Sequence, residues 1–369
     1  MRQLDRRSLL LAWALLPFLT PSKKRILLTT FDPPERACEN NAETLAAALG
    51  IAPGDARIVR NPAAVPNLRR SLEALSAEAI VLGDPDYPPR LAAIADPPLA
   101  LFVRGRRELA SAGSIAVVGS RRSSPYGENA ARRLAGALAA RGVTIVSGMA
   151  RGIDASAHCA ALGTPGGTIA VLGNGVDVLY PPEHRELRDR IAAEGLLVSE
   201  FPPGTGPRRE HFPIRNRIIA GLALGVIVVE AGEKSGSLIT ARLANEEGRE
   251  VFAVPGSIFS KNSTGAHRLI QDGAKLAGSV DDVVAEIAEL AEQCSGAQRA
   301  PFSADRSPVD PELERVLEAL SPDDGTAVDV AAAQLGVGVE WLAPRLLALE
   351  LAGAVRALPG TRYIITAGS

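Results

Sequence analysis

From Ser114 onward the chain alternates between two textures, short runs rich in Val, Ile and Leu and longer Ala- and Leu-rich stretches. In the longer stretches apolar positions recur every three or four residues, which predicts amphipathic helices. The short runs lack polar alternation and predict strands buried on both faces, as in a parallel sheet. Strands are expected at 115–118, 143–147, 168–172, 197–199, 226–230, 251–254 and 275–277. Helices fall between them at 127–141, 154–162, 183–194, 215–223, 239–248, 265–272 and 281–291. Repeated βαβ units of this kind predict an α/β fold, a Rossmann-like open parallel sheet over residues 113–292.

The flanking regions read differently. Residues 1–80 form short helical stretches at 8–19, 22–30, 42–49 and 67–79, broken by Pro and Gly, and predict a helical domain. Residues 81–112 are Pro-rich and predict a connector packing on the core, and the Ser-, Gly- and Pro-containing stretch 293–308 predicts a linker. Residues 309–369 predict helices at 311–320, 327–335 and 339–352, then strands at 354–357 and 363–366 about Pro359 and Gly360. Three helices and a hairpin suggest a winged helix. The apolar run 8–19 follows Arg2, Arg6 and Arg7 and mimics a secretory leader. No small-x-small cleavage site follows it, however, and Lys23, Lys24 and Arg25 come directly after. The run is too short to span a bilayer. A buried N-terminal helix is the expectation.

Composition narrows the function classes. Apolar residues make up 46% of 369, which excludes a disordered or collagen-like chain. Forty Lys and Arg against forty-two Asp and Glu leave a formal charge of −2, so any polyanion site must be a local patch. Cys38, Cys159 and Cys294 are odd in number and far apart. That argues against a disulfide framework or zinc site and fits a reducing cytoplasm.

Candidate chemistry lies in the loops after the strands, where open α/β sheets bind ligands. The first loop holds Gly119, Ser120 and Arg121, and the second holds Gly148 and Arg151. Each joins a strand to a helix N-terminus, whose free N–H groups suit anions, with an arginine fork beside them. Gly173–Asp177 form a third loop. The fourth carries Arg208, Arg209, Arg215 and Arg217, with His211 and Phe212 among them. Cations interleaved with an aromatic suit single-stranded nucleic acid, whose backbone needs charge and whose bases need a stacking face. Each loop alone is ordinary turn geometry; four together point to an anionic ligand. Nucleotide and polynucleotide both fit.

Longer motifs carry a family resemblance. AVVGSRRSSPYG at 116–127, SGMARGIDASAH at 147–158, FPIRNRIIAGL at 212–222 and SGSLITA at 235–241 closely resemble the DNA-processing protein A (DprA/Smf) family. Tyr87-Pro88, DPPLALFVRG at 96–105 and VFAVPG at 251–256 match as well. The resemblance implies an N-terminal SAM-like helical domain, here divergent, and a C-terminal winged helix. It implies a non-enzymatic homodimer without cofactor or metal, which binds and protects incoming single-stranded DNA. It further implies loading of a RecA-type recombinase in natural transformation, with a single-strand-binding protein as an additional partner and no membrane association. By position, the DNA-binding residues implied are Gly119, Ser120, Arg121, Gly148, Arg151, Arg209, Phe212, Asn216 and Arg217, and the dimer interface involves His267, Ile270 and Leu276.

Two other function classes compete with this reading. The first two loops also resemble those of nucleotide phosphoribohydrolases, but the glycine stretch and catalytic acid of those enzymes are missing at 233–240. A winged-helix regulator with an α/β ligand sensor is the other. Its wing would normally be basic, whereas residues 309–369 are net acidic.

Overall fold

The computed structural model describes residues 4–31, 33–75, 78–296, 311–321 and 325–366. From residue 297 on, the expected linker lies outside the described residues.

Six helices open the described chain: α1 (Arg6–Ala14), α2 (Pro21–Thr30), α3 (Arg36–Glu39), α4 (Ala42–Leu49), α5 (Pro53–Arg60) and α6 (Pro66–Leu75). α1 is capped by the Asp5 side chain accepting from Ser8 N, and it buries every residue from Leu9 to Ala14. It ends well before the predicted residue 19 because Pro17 cannot continue a helix and disfavours helical backbone in its predecessor.

The stretch 81–112, expected to be a connector, instead builds part of the sheet. β1 (Ala79–Val81), α7 (Pro89–Ala92) and β2 (Ala100–Gly105) come first, and β2 pairs antiparallel with both β1 and β6 (Leu196–Ser199). The prolines at 97 and 98 stop just short of the strand, so its N–H groups remain free to pair.

The α/β core then runs β3 (Ser114–Val118), α8 (Pro125–Ala140), β4 (Thr144–Ser147), α9 (Ile153–Ala161), β5 (Thr168–Leu172), α10 (Arg185–Glu194) and β6. It continues through α11 (His211–Leu222), β7 (Gly225–Val228), α12 (Gly236–Glu246), β8 (Glu250–Ala253), α13 (Thr264–Gln271), β9 (Lys275–Leu276), α14 (Val280–Glu286) and α15 (Ala288–Gly296). α11 starts four residues earlier than expected and absorbs Pro213, since an amide N–H is dispensable in a first turn. α12 starts at Gly236 because Ser235 supplies an N-cap. The single helix expected at 281–291 is two, broken at Ile287.

The strand order is β1-β2-β6-β5-β4-β3-β7-β8-β9, with β3 to β9 parallel. Succession moves outward from β3 to β6 and then returns to β7 on its other side. The switch point therefore lies between β3 and β7, where doubly wound sheets open a crevice at the strands' carboxyl ends. Apolar side chains of α11 and α12 cover one face and those of α8, α9 and α14 the other. A third apolar cluster joins the N-terminal helices to the sheet: Leu10, Trp13 and Leu27 share it with Phe102, Leu172 and Leu197. Trp13 Nε1 donates to Val59 O at 2.9 Å, so its one polar atom is satisfied inside that cluster.

Beyond the linker, α16 (Pro311–Glu318), β10 (Thr326–Ala327), α17 (Val328–Leu335), α18 (Val339–Leu351), β11 (Val355–Leu358) and β12 (Arg362–Ile365) form a winged helix with its own core around Val316, Leu342 and Leu346. Asn129 Nδ2 donates to Ile365 O at 2.9 Å, which sets the hairpin beside α8.

Candidate nucleic-acid interface

A cleft of about 750 Å³ opens at the switch point. One wall is the loop after β3, with Gly119, Ser120, Arg121 and Arg122; a second is the start of α11, with Phe212 and Asn216; a third is the turn entering α12. Arg121, Arg122, Arg209, Arg215 and Lys234 line it against two carboxylates, Asp154 and Glu233. This is the local positive patch that a chain of net charge −2 needs to hold a polyanion.

The floor holds two buried opposite charges, Arg215 and Asp154. Arg215 is 3% exposed and donates through Nη1 to Gly148 O at 2.7 Å and to Val171 O. Burial pushes its guanidinium down to about 10, and the charge of Asp154 opposes that shift. Asp154 accepts from the N–H groups of Gly148 (3.1 Å) and Ala150 (3.2 Å). Burial pushes its carboxyl up from the ordinary range, against the pull of Arg215. Gly148 is required here, because a Cβ would stand 2.6 Å from Arg215 Nη2. The Arg215 hydrogen bond to Gly148 O ties the second loop to α11, and the two opposed charges together contribute little net charge to the cleft.

The upper wall joins a cation to an aromatic. Arg121 is exposed, and its Cζ lies 5.3 Å from the Phe212 ring centroid. Phe212 also meets Tyr180, with centroids 5.5 Å apart and planes at 40°. Its ring comes so close to Gly173 that a Cβ there would stand 3.0 Å from Cδ1. The start of α11 is anchored by a stack of His211 on Phe201 at 4.0 Å and by His211 Nδ1 against Gly173 O at 3.1 Å. Phe212 is therefore held with part of its ring open to solvent. Buried Glu230 steadies the Arg121 loop by accepting from Ser124 N at 2.9 Å and from the Ser124 hydroxyl.

Of the DNA-binding residues expected from sequence, Gly119, Ser120, Arg121, Arg209, Phe212 and Asn216 meet in this cleft. Gly148 and Arg151 line a small recess adjoining it behind Phe212, and exposed Arg151 is ion-paired there with Glu183. Arg217 lies elsewhere. It is turned inward, its fork on Glu200 at 2.8 and 2.9 Å and its Nε on Asp96 at 3.2 Å. Burial alone would lower its pKa, but the two carboxylates outweigh that and hold it above the ordinary value. Lys24, from α2, is 7% exposed and feels the same carboxylates, though burial pushes its ammonium down overall. Arg217 thus positions α11 and is not available to a ligand.

Sequence reasoning placed no site residue on the α12 turn, although Ser235, Gly236, Ser237 and Thr240 line the cleft. A Ser-x-Ser opening a periodic run is an N-cap signal that would have located it. His267, Ile270 and Leu276 lie on α13 and β9 at the sheet's far edge. Leu276 is 50% exposed, and His267 Nε2 stands 3.0 Å from Gly256 O.

The chain matches the family model of DNA recombination-mediator protein A over residues 78–288 and that of the DprA winged helix domain over residues 300–361. It is 46% identical to Protein Smf of Escherichia coli over 282 residues, 74% of each chain. It is 51% identical to the DNA processing protein DprA of Streptococcus pneumoniae over 203 residues, 55% of this chain and 72% of that protein. The X-ray structure of DNA processing protein A from Streptococcus pneumoniae superposes with a TM-score of 0.68 at 39% identity, covering 78% of this chain and 99% of that one. DNA processing protein A from Helicobacter pylori, whose structure describes a single-stranded DNA binding mode, gives 0.52 at 29% identity, over 57% of this chain and 96% of that one. With the α/β core and the winged helix both matched and the cleft at the switch point built from the motifs themselves, the chain belongs to the DNA processing protein A (DprA/Smf) family.

Proposed function

We propose that the chain binds single-stranded DNA in the switch-point cleft. The observation that carries this reading is the pairing of Arg121 with the half-open ring of Phe212, beside exposed Arg209. The cations meet phosphates, and the ring gives any exposed base a stacking face, so binding is tolerant of sequence. A duplex hides its base faces and gains only the charge term. The binding mode of the Helicobacter pylori relative supports the same reading.

Within that reading, the bound strand is protected and handed to a RecA-type recombinase, with a single-strand-binding protein as an additional partner. The chain acts in the cytoplasm as a homodimer through the α13–β9 edge and makes or breaks no covalent bond. The match to a recombination-mediator family supports this role. Anisotropy with matched single- and double-stranded oligonucleotides across a salt series tests the binding. Single strands should bind tighter at every salt concentration, and equal affinity would overturn the assignment. Faster recombinase filament growth on coated single strands would uphold the delivery step.

A further inference from the structure

The α12 wall of the cleft has a geometry that backbone binding along a strand does not use. α12 is eleven residues long, and its N-terminus opens into the cleft, where a helix's first N–H groups lack intrahelical acceptors. Ser237 N is only weakly engaged, by Ser235 Oγ at 3.4 Å. A Cβ on Gly236 would meet nothing within 4 Å, so this turn faces open space. One turn further in, Thr240 lines the same cleft. It is 2% exposed, and its hydroxyl makes no hydrogen bond among the described residues. A helical side chain leans toward the N-terminus, so Thr240 stands over the Gly236 turn. Exposed Lys234 and Arg122 flank the entrance. Of the two carboxylates in the lining, Asp154 is held by the Gly148 and Ala150 N–H groups, and Glu233 is exposed at the rim.

An unpartnered hydroxyl on a nearly buried side chain below a helix N-terminus, with cations at the mouth, suits a phosphate. The depth decides which kind. A phosphodiester continues the chain on both sides and is met at a surface, whereas the Thr240 hydroxyl is reached only by a group that ends there. We propose that the α12 turn binds a phosphomonoester, the terminal phosphate of a DNA strand, with Gly236 and Ser237 N–H, the Thr240 hydroxyl and Lys234 as its donors. The strand leading away from it would pass Arg121 and Phe212, so this inference rests on the single-strand reading.

The test compares internally labelled oligonucleotides of about fifteen bases, a length within the span of one small binding domain. They carry a 5′-phosphate, a 3′-phosphate or hydroxyls at both ends. One phosphorylated end should bind about tenfold tighter than hydroxyl ends, ~1.4 kcal/mol. In Thr240→Val and in Lys234→Ala that ratio should fall toward one, whereas Arg121→Ala should weaken all three ligands and keep the ratio. Equal affinities in the unaltered protein, or an advantage that survives both α12 variants, would overturn the proposal and leave the single-strand reading standing. If no oligonucleotide binds, the single-strand reading has failed. Calorimetry with a deoxynucleoside monophosphate then decides, since binding lost in Thr240→Val upholds the phosphomonoester site and absence of binding overturns it.

Discussion

Arg121 lies over the ring of Phe212, with Cζ 5.3 Å from the centroid, although the two residues are ninety-one positions apart in the chain. One comes from the loop after β3 and the other from the first turn of α11. A strand that slid a base onto the Phe212 face would meet the guanidinium at its own phosphate, so the contact sets charge beside stacking.

Arg121→Ala and Arg209→Ala should each weaken single-strand binding for all sequences alike, because phosphate contacts carry no sequence information. Each should also flatten the dependence of log K on log salt by about 0.7, the value per contact for single strands. Anisotropy across a salt series reads both effects. Unchanged slopes in both variants would remove the cleft as the DNA site.

Phe212→Leu should cost about 1–3 kcal/mol of affinity, the range for losing one base–aromatic stack. Its salt slope should stay the same, since no charge is lost, and Phe212→Tyr should restore most of the binding. A change of slope in the leucine variant would mean that the ring acts by holding Arg121 in place.

Arg217→Met should behave differently from both. Removing the arginine leaves buried Glu200 and half-buried Asp96 with only Lys24 and Arg25 as nearby cations, and breaking such an arrangement destabilises a fold by about 3–5 kcal/mol. Urea unfolding should show the loss, while folded variant protein should keep the original salt slope. A reduced slope at full stability would return Arg217 to the DNA-contacting set.

His158 supplies a pH signature for the core. It is fully buried, and its Nδ1 stands 2.7 Å from Thr168 Oγ1, which donates to Ile145 O at 2.8 Å. Thr168 Oγ1 therefore accepts from Nδ1–H. Burial, with His184 and Arg215 nearby, lowers its pKa from 6.5 to about 3. A base depressed in the folded state contributes stability above its unfolded pKa and loses it as pH falls. Between 6.5 and 3 the unfolded chain takes up a proton that the folded one refuses, at up to ~1.4 kcal/mol per pH unit. In His158→Leu the stability profile between about pH 6 and 4 should be shallower by one proton. An unchanged profile would show that the imidazole is not buried neutral.

Leu276→Glu should give a soluble monomer. Leu276 is half exposed in the single chain, which can therefore solvate a carboxylate there, whereas a symmetric apolar interface cannot. Sedimentation should report half the native mass with unchanged circular dichroism. A dimer that persists would move the interface away from β9.

The parallel strands were legible because burial on both faces leaves an apolar run, and every predicted strand from 115 to 277 has a counterpart within two residues at each end. β2 was legible in principle, as Ala100 to Val103 is such a run, but the prolines before it read as connector. The site loops were found from glycine and arginine types. What those types do not reveal is direction. Nothing local distinguishes Arg217, which faces inward to Glu200, from Arg209, which is exposed; the partners come from residues 96 and 200, and only the fold brings them together. Thr240 escaped notice for a similar reason, since its burial depends on where α12 begins.

The N-terminal helices share one apolar interior with the sheet, and Lys24 adds a buried charge beside Glu200 and Asp96. The junction near residue 78, where the family match begins, is therefore a boundary of sequence texture and not of stability. A chain cut there would bare Phe102, Leu172 and Leu197 to water and leave two interior carboxylates to one arginine. What resembles an appended module serves as the second half of a hydrophobic layer. Helix α11, tied through Arg217 to that same charged cluster, takes its footing partly from residues outside the cleft lining.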